Sequence, residues 1–236
     1  LGVADPSTSV FLTGGLRGLP LSPAWSPDGT WIWFTEAGAD EVMRLYRVPA
    51  VGGKTEEVPV LAWDWGTATG TLRVVTRDKR IGEGEAPAAA RLNVLDESGH
   101  PAVPSSGYAQ FEGQSGRVFF YSPGVIEISV PAGTVTVGAV RGLDTPEVTH
   151  SAEVRAGEIT EIEVTLETVW DARSAGFLSG DHHFHLNYGG PFGLDPEDLP
   201  LMMRGENLDV ATPLLANLHT RFEDQKFWGW EKGDDP

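Results

Sequence analysis

The most chemically pointed stretch of this chain is Ser179-Gly180-Asp181-His182-His183-Phe184-His185-Leu186-Asn187-Tyr188-Gly189-Gly190, which places three of the protein's six histidines within four positions. On a β-strand alternate side chains share a face, so Asp181, His183 and His185 are expected to point one way and His182 and Phe184 the other. Two imidazoles and a carboxylate are a ligand set for zinc, manganese or iron, and an incomplete protein set leaves a position for an activated water. Such an ion lowers the pKa of its bound water and polarises a carbonyl or phosphoryl oxygen, which is the chemistry of ester, amide, carbamate or phosphoester hydrolysis. The stretch therefore predicts a divalent metal cofactor, zinc or manganese, and a small-molecule substrate. A lone His-x-His on a strand also arises with no metal, and His182 reads as packed or hydrogen-bonded rather than as a ligand.

The elements that must position this strand lie on both sides of it. Trp170, Phe177 and Leu178 lead in, and Gly189-Gly190-Pro191-Phe192-Gly193 predicts an irregular exit loop. Asp195-Pro196-Glu197-Asp198 is a helix start, with an Asx cap, proline at the first helical position and two acids near the positive end of the dipole. Pro200 would fall at the fifth helical position, where it removes a backbone hydrogen bond, so a short or distorted helix is expected. Gly205 and Asn207 offer a stop, and Leu208-Asp209-Val210-Ala211-Thr212 reads as a buried second strand. Strand, helix and strand over this length predict a βαβ unit with parallel pairing. Further along, His219, Glu223 and Asp224 are either additional ligands or an exposed polar stretch. Trp228 and Trp230 read as core or interface aromatics, and the acidic tail from Glu231 as a solvated end.

Upstream the pattern is β throughout. Runs at Arg91–Asp96, Tyr108–Glu112, Val118–Tyr121, Val125–Val130, Thr134–Val140, Val148–Val154 and Thr160–Leu166, separated by Gly and Pro turns, predict a β-sandwich. His100, in a turn, and His150, on a strand, read as structural or solvated. A Gly/Glu/Ala/Pro stretch from Gly82 to Ala90 reads as a linker, and Leu72-Arg73-Val74-Val75-Thr76 before it as transitional. Residues 20–60 form short strands, with Pro27-Asp28-Gly29 as the turn of a hairpin between Pro23-Ala24-Trp25 and Trp31-Ile32-Trp33-Phe34-Thr35.

These motifs carry resemblances. Pro-Ala-Trp-Ser-Pro-Asp-Gly with Leu45-Tyr46, Val48-Pro49 and Gly52-Gly53 resembles one blade of a TolB-type β-propeller, although a propeller needs at least about four blades. Val130-Pro131-Ala132-Gly133 with the closing run from Val154 to Leu166 resembles the carboxypeptidase-regulatory-like, transthyretin-like modules of many extracytoplasmic bacterial proteins. Gly176-Phe177-Leu178-Ser179-Gly180-Asp181, the two alternate histidines after it, Asn187-Tyr188-Gly189-Gly190 and Glu206-Asn207-Leu208-Asp209-Val210 resemble the CehA/McbA branch of the PHP-type metal-dependent hydrolases. That resemblance implies His183 and His185 as paired metal ligands, Asp181 as a ligand or its support, Glu206 as a further acidic ligand, and Asp181, His183 and His185 as the catalytic set. The family's Thr-Asp-His after the second strand is replaced by Thr212-Pro213-Leu214, which leaves a second metal without its usual residues. The expected fold is mainly β: a propeller-like ribbon over 1–86, a transthyretin-like or Ig-like sandwich over 87–168, and the first βα units of a TIM-like PHP barrel over 169–236. A whole barrel takes about 250 residues, so the chain is read as a piece of something longer, as its start at Leu1 also suggests.

Composition bounds these expectations. With no cysteine, disulfide frameworks, thiol nucleophiles and Cys-based zinc sites are excluded. A formal charge of -17 disfavours nucleic acid and anionic membranes as partners. Neither a spanning apolar run nor a charged-then-apolar leader is read in the sequence, and a periplasmic or secreted setting is favoured. Exposed edges of a partial barrel predict a homo-oligomer, or pairing with a missing remainder of the polypeptide. Two functions follow: a metal-dependent, amidohydrolase-like hydrolase, or a non-catalytic β-sandwich module for binding or assembly, including a truncated form that has lost turnover.

Overall fold

The computed structural model describes residues 12, 20–37, 43–61, 64–79, 85–105, 109–112, 115–186 and 194–214. They divide into two compact units, one comprising Leu1–Trp63, His185–Leu194 and Leu214–Pro236, the other Asp64–Phe184 and Asp195–Pro213.

In the first unit β1 (Leu21–Trp25), β2 (Trp31–Ala37), β3 (Met43–Pro49) and β4 (Glu56–Val58) form an antiparallel sheet in sequence order. The expected hairpin turn joins β1 to β2. Asp28 Oδ1 accepts hydrogen bonds from Ser26 Oγ at 2.5 Å, Thr30 N–H at 3.0 Å and Thr30 Oγ1 at 2.8 Å, and Gly29 takes the left-handed φ of +69° that the turn demands. The Ser26 hydroxyl, followed by the Thr30 groups, holds the Asp28 carboxyl at about 2. On β2 Phe34 and Glu36 are buried, while Trp31 and Trp33 lie on the other face beneath the Arg47 guanidinium, 4.2 Å and 5.8 Å from the two ring centres.

The second unit is built on two sheets. One has the order β10-β5-β13, from β10 (Val125–Pro131), β5 (Thr69–Lys79) and β13 (Ile159–Glu167), with β6 (Glu85–Pro87) also paired to β5. The other has the order β12-β11-β7-β9-β8, from β12 (Val148–Val154), β11 (Gly133–Val140), β7 (Ala90–Leu95), β9 (Val118–Ser122) and β8 (Gln110–Phe111). Leu72, Val74, Ile128, Val130, Val164 and Leu166 from the first sheet and Leu92, Val94, Phe120, Val135, Val137 and Val154 from the second form one buried core. The fold is thus mainly β, with two sheets facing across a shared apolar interior.

β5 departs from its expected place in the ribbon of 1–86. It is the central strand of its sheet, antiparallel to β10 and parallel to β13. The reason is visible on both of its faces. Leu72 and Val74 enter the core, while Arg73, Arg77 and Lys79 point out and pair with Glu127 at 3.0 Å, Glu161 at 2.9 Å, Glu163 at 2.8 Å and Glu167 at 3.2 Å on the flanking strands. Gly70 is required by close packing, since a Cβ there would lie 2.3 Å from the Arg155 carbonyl oxygen. At the other end of β5 the buried Asp78 carboxylate accepts from Arg141 Nη1 at 3.1 Å and Thr168 Oγ1 at 3.3 Å, tying the loop after β11 to the end of β13.

Beyond β13 the chain forms β14 (Gly180–His185), a 3-10 turn at Pro196–Asp198, α1 (Leu199–Gly205) and β15 (Val210–Leu214), with β14 paired to β15. Strand, helix and strand occur as expected, but the described residues contain no series of βα units, so the TIM-like barrel expected from 169 onwards is corrected to one two-stranded sheet and one short helix. Pro200 explains how that helix is built. The 3-10 turn ends before Leu199, which puts Pro200 in the first α-helical turn, where no intrahelical N–H bond is needed.

Candidate functional site

Burial does not alternate along β14. Asp181 is half-buried, His182 and His183 are exposed, and Phe184 is half-buried. Asp181 and Phe184, three positions apart, line the same hollow of about 280 Å³ together with Tyr121, Leu143 and Glu206. Asp181 Oδ1 accepts the backbone N–H of His183 at 2.9 Å, an Asx-type contact within the strand. His185 belongs to the first unit, where it is half-buried.

Glu206 stands at the end of α1 and serves the sandwich. Its Oε1 accepts the Tyr121 hydroxyl at 2.8 Å and lies 3.3 Å from Arg91 Nη1. Burial, reinforced by the neighbouring Glu206 charge, pushes the Tyr121 hydroxyl well above its ordinary range, so it remains a neutral donor. Gly205, which reads in the sequence as a helix stop, is required by this contact: a Cβ there would sit 2.4 Å from Tyr121 Cδ1.

A knot of polar side chains fixes the strand's entrance. Arg173 donates from Nε to Asp209 Oδ1 at 2.8 Å, from Nη1 to Asn207 Oδ1 at 2.9 Å and from Nη2 to the Asn207 carbonyl at 3.3 Å. Ser179 N–H donates to Asp209 Oδ2 at 2.9 Å, and Asn207 Nδ2 donates to both Asp144 oxygens at 3.1 Å and 2.9 Å. The Ser179 N–H, and after it the Arg173 guanidinium, hold the Asp209 carboxyl below the usual carboxylate range. Asn207 has a left-handed φ of +54°, a conformation asparagine tolerates well, and there it ends the helix. Arg173 and Asp144 carried no motif that singled them out in the sequence. An arginine in a polar run before the strand, matched to the acid of Leu208-Asp209-Val210, was the available signal.

Among the described residues no three His, Asp or Glu side chains are grouped so that they could hold an ion. Asp181 is committed to a backbone amide, and Glu206 to Tyr121 and Arg91. The metal-binding designation drawn from the sequence is corrected on this ground. Asn187–Gly190, the loop through Gly193, His219, Glu223, Asp224, Trp228, Trp230 and the acidic tail lie outside the described residues.

No family model matches the chain, and no curated protein matches it. Among solved structures it is similar to the minor pilin GBS52 of Streptococcus agalactiae, with 15% identity and a TM-score of 0.34 over 62% of this chain and 63% of that one. It is also similar to the Bacillus anthracis TIE protein, with 15% identity and a TM-score of 0.30 over 73% and 33% of the two chains. A streptococcal ancillary pilin shows 12% identity and a TM-score of 0.27 over 66% and 49%. The chain spans less than two thirds of the length of each of them. At these TM-scores the likeness assigns neither a family nor an activity to this chain. The PHP, CehA/McbA-like, amidohydrolase-like, hydrolase and TolB-like designations are nevertheless corrected: no family or curated match carries them, and the described residues contain neither a series of βα units nor a series of propeller blades.

Proposed function

We propose that the chain is a non-catalytic β-sandwich module for binding or assembly, working in a surface or secreted setting. The observation that supports this reading is the use made of the carboxylates around β14. Asp181 and Glu206, which a hydrolytic centre would need as open ligands, are bonded within the protein to the His183 amide and to Tyr121 and Arg91. The sandwich beside them has a continuous core that does not depend on an ion. Binding modules of this kind present surface loops and sheet edges from a rigid scaffold. In a panel of ester, amide, carbamate and phosphoester substrates with added zinc or manganese, the purified chain is expected to show no turnover above the free-ion background. Metal-dependent turnover that tracks protein concentration would defeat the proposal.

A further inference from the structure

Next to the Arg173 knot, the second unit carries an open hollow of about 540 Å³. Leu143, Trp170, Phe177 and Leu178 line it, and all four are exposed, Leu143 completely and Leu178 at 74%. The Trp170 and Phe177 rings meet at 5.8 Å with an interplanar angle of 53°, forming an aromatic wall. Concave, exposed apolar surface of this kind marks an interaction site more often than a solvated one. The wall is held in place by its backbone: Val169 N–H donates to the Asp144 carbonyl at 2.9 Å, and Phe177 N–H to the Ala172 carbonyl at 2.9 Å. The Arg173 bonds to Asp209 and Asn207 brace the opposite side. A preformed surface loses less ordering entropy on docking.

Charge selects the occupant. Asp144, Asp171, Glu206 and Asp209 line the hollow with one lining cation, Arg173, whose guanidinium already serves Asp209 and Asn207, while Arg91 lies 3.3 Å from Glu206 outside the lining. The chain as a whole carries -17, which sets a second copy, or an anionic membrane, against the hollow by like-charge repulsion. We infer that this hollow docks a short segment of a partner protein that places an aromatic or branched apolar side chain beside a lysine or arginine. The apolar side chain lies against Trp170 and Phe177, and the cation faces the carboxylate side. The inference rests on the binding-module reading and gives it a surface and a partner chemistry.

Two synthetic peptides that differ in one residue, one carrying Trp-Lys and the other Trp-Glu, test it by titration into the whole chain with backbone NMR shifts as the readout. Saturable shifts confined to residues 143–144, 170–179 and 206–209 are expected for the lysine peptide, with the glutamate peptide at least about tenfold weaker. Affinity for the lysine peptide falls at high salt. Trp170→Ala weakens it by about tenfold or more, as loss of a central aromatic anchor does. Leu143→Lys, at a fully exposed position that leaves the core untouched, weakens it by a similar factor. Equal binding of the two peptides, shifts elsewhere on the chain, or no saturation by either would overturn the inference. So would protein-concentration-dependent shifts at the hollow without peptide, which identify a second copy, or Trp170-dependent co-sedimentation with phosphatidylcholine vesicles, which identifies a membrane. A chain that binds neither peptide and still shows no turnover loses this docking surface and keeps the binding-module reading; metal-dependent turnover removes that reading itself.

Discussion

The sandwich and the histidine strand differ in what holds them. In the sandwich, two sheets share a core of side chains with almost no exposure, and its outer face is laced by Arg and Glu across β10, β5 and β13. Among the described residues β14 has only β15 as a sheet neighbour, and it is anchored by bonds of the Asp181 carboxylate to the His183 amide and of the Asp209 carboxylate to the Ser179 amide and the Arg173 guanidinium. The first kind of order comes from burying area, which contributes roughly 25 cal/mol per Å² and spreads over many residues. The second kind rests on a few polar contacts, each worth about 1 kcal/mol, and it consumes the very groups that chemistry would otherwise use. In and beside the histidine strand, Asp181 and Glu206 are engaged within the protein, while His182 and His183 are exposed.

The contrast can be broken most severely from the sandwich side. Phe120→Ala, in the centre of the core at 2% exposure, is expected to cost about 3–5 kcal/mol in urea unfolding. A loss below about 1 kcal/mol would mean that the two sheets do not share that core. Arg141→Ala removes the guanidinium from the buried Asp78 carboxylate, and a loss of about 3–5 kcal/mol is expected. The double variant Asp78→Leu with Arg141→Met should recover most of it, whereas a double variant as unstable as the single one would assign the loss to packing alone.

On the other side, Arg173→Ala should leave the midpoint of global unfolding nearly unchanged. It should raise hydrogen exchange at the Asp209 and Val210 amides, both of which donate to the Ser179 carbonyl, by about tenfold. Exchange that rises equally in β7 and β11 would show that the knot supports the whole unit. The smallest effect concerns Asp28 in the first unit. Its folded pKa, about 2, lies below the ordinary 3.8. The carboxylate form therefore favours the folded hairpin above the ordinary value, and that contribution is lost as pH falls from near 4 through about 2. Carboxyl NMR should titrate Asp28 near 2, and Ser26→Ala should move it back toward 3.8; an unperturbed midpoint in the wild type would mean the turn does not form in solution.

Much of the fold was legible because burial writes a periodic signal. The alternation of Leu92 with Val94 and of Val135 with Val137, punctuated by Gly99 and Gly133, locates β7 and β11 to within a residue or two. β5 was misplaced because sequence order says nothing about which sheet a strand joins. The cue was its outward cations, Arg73, Arg77 and Lys79, which match glutamates about fifty to ninety residues away. Helix α1 was legible through Asp195, Pro196 and Pro200, each of which limits backbone choice locally.

The site was harder to read, since residue types do not reveal commitments. Asp181 reads as a ligand with nothing to show that its Oδ1 accepts the His183 amide, and Gly205 reads as a helix stop with nothing to show that Tyr121 lies where its Cβ would be. Trp170, Phe177 and Leu178 read as a lead-in to the strand. Only in three dimensions do they join Leu143, from a loop between sandwich strands, around one hollow.

Metal stoichiometry is the most direct test of whether the histidine strand is structural. The chain is dialysed against equimolar zinc and manganese, desalted, and assayed for bound metal beside His183→Ala and His185→Ala. The account predicts well under one ion per chain, and the same value in all three proteins. One tightly held ion per wild-type chain, lost in both variants, would contradict it.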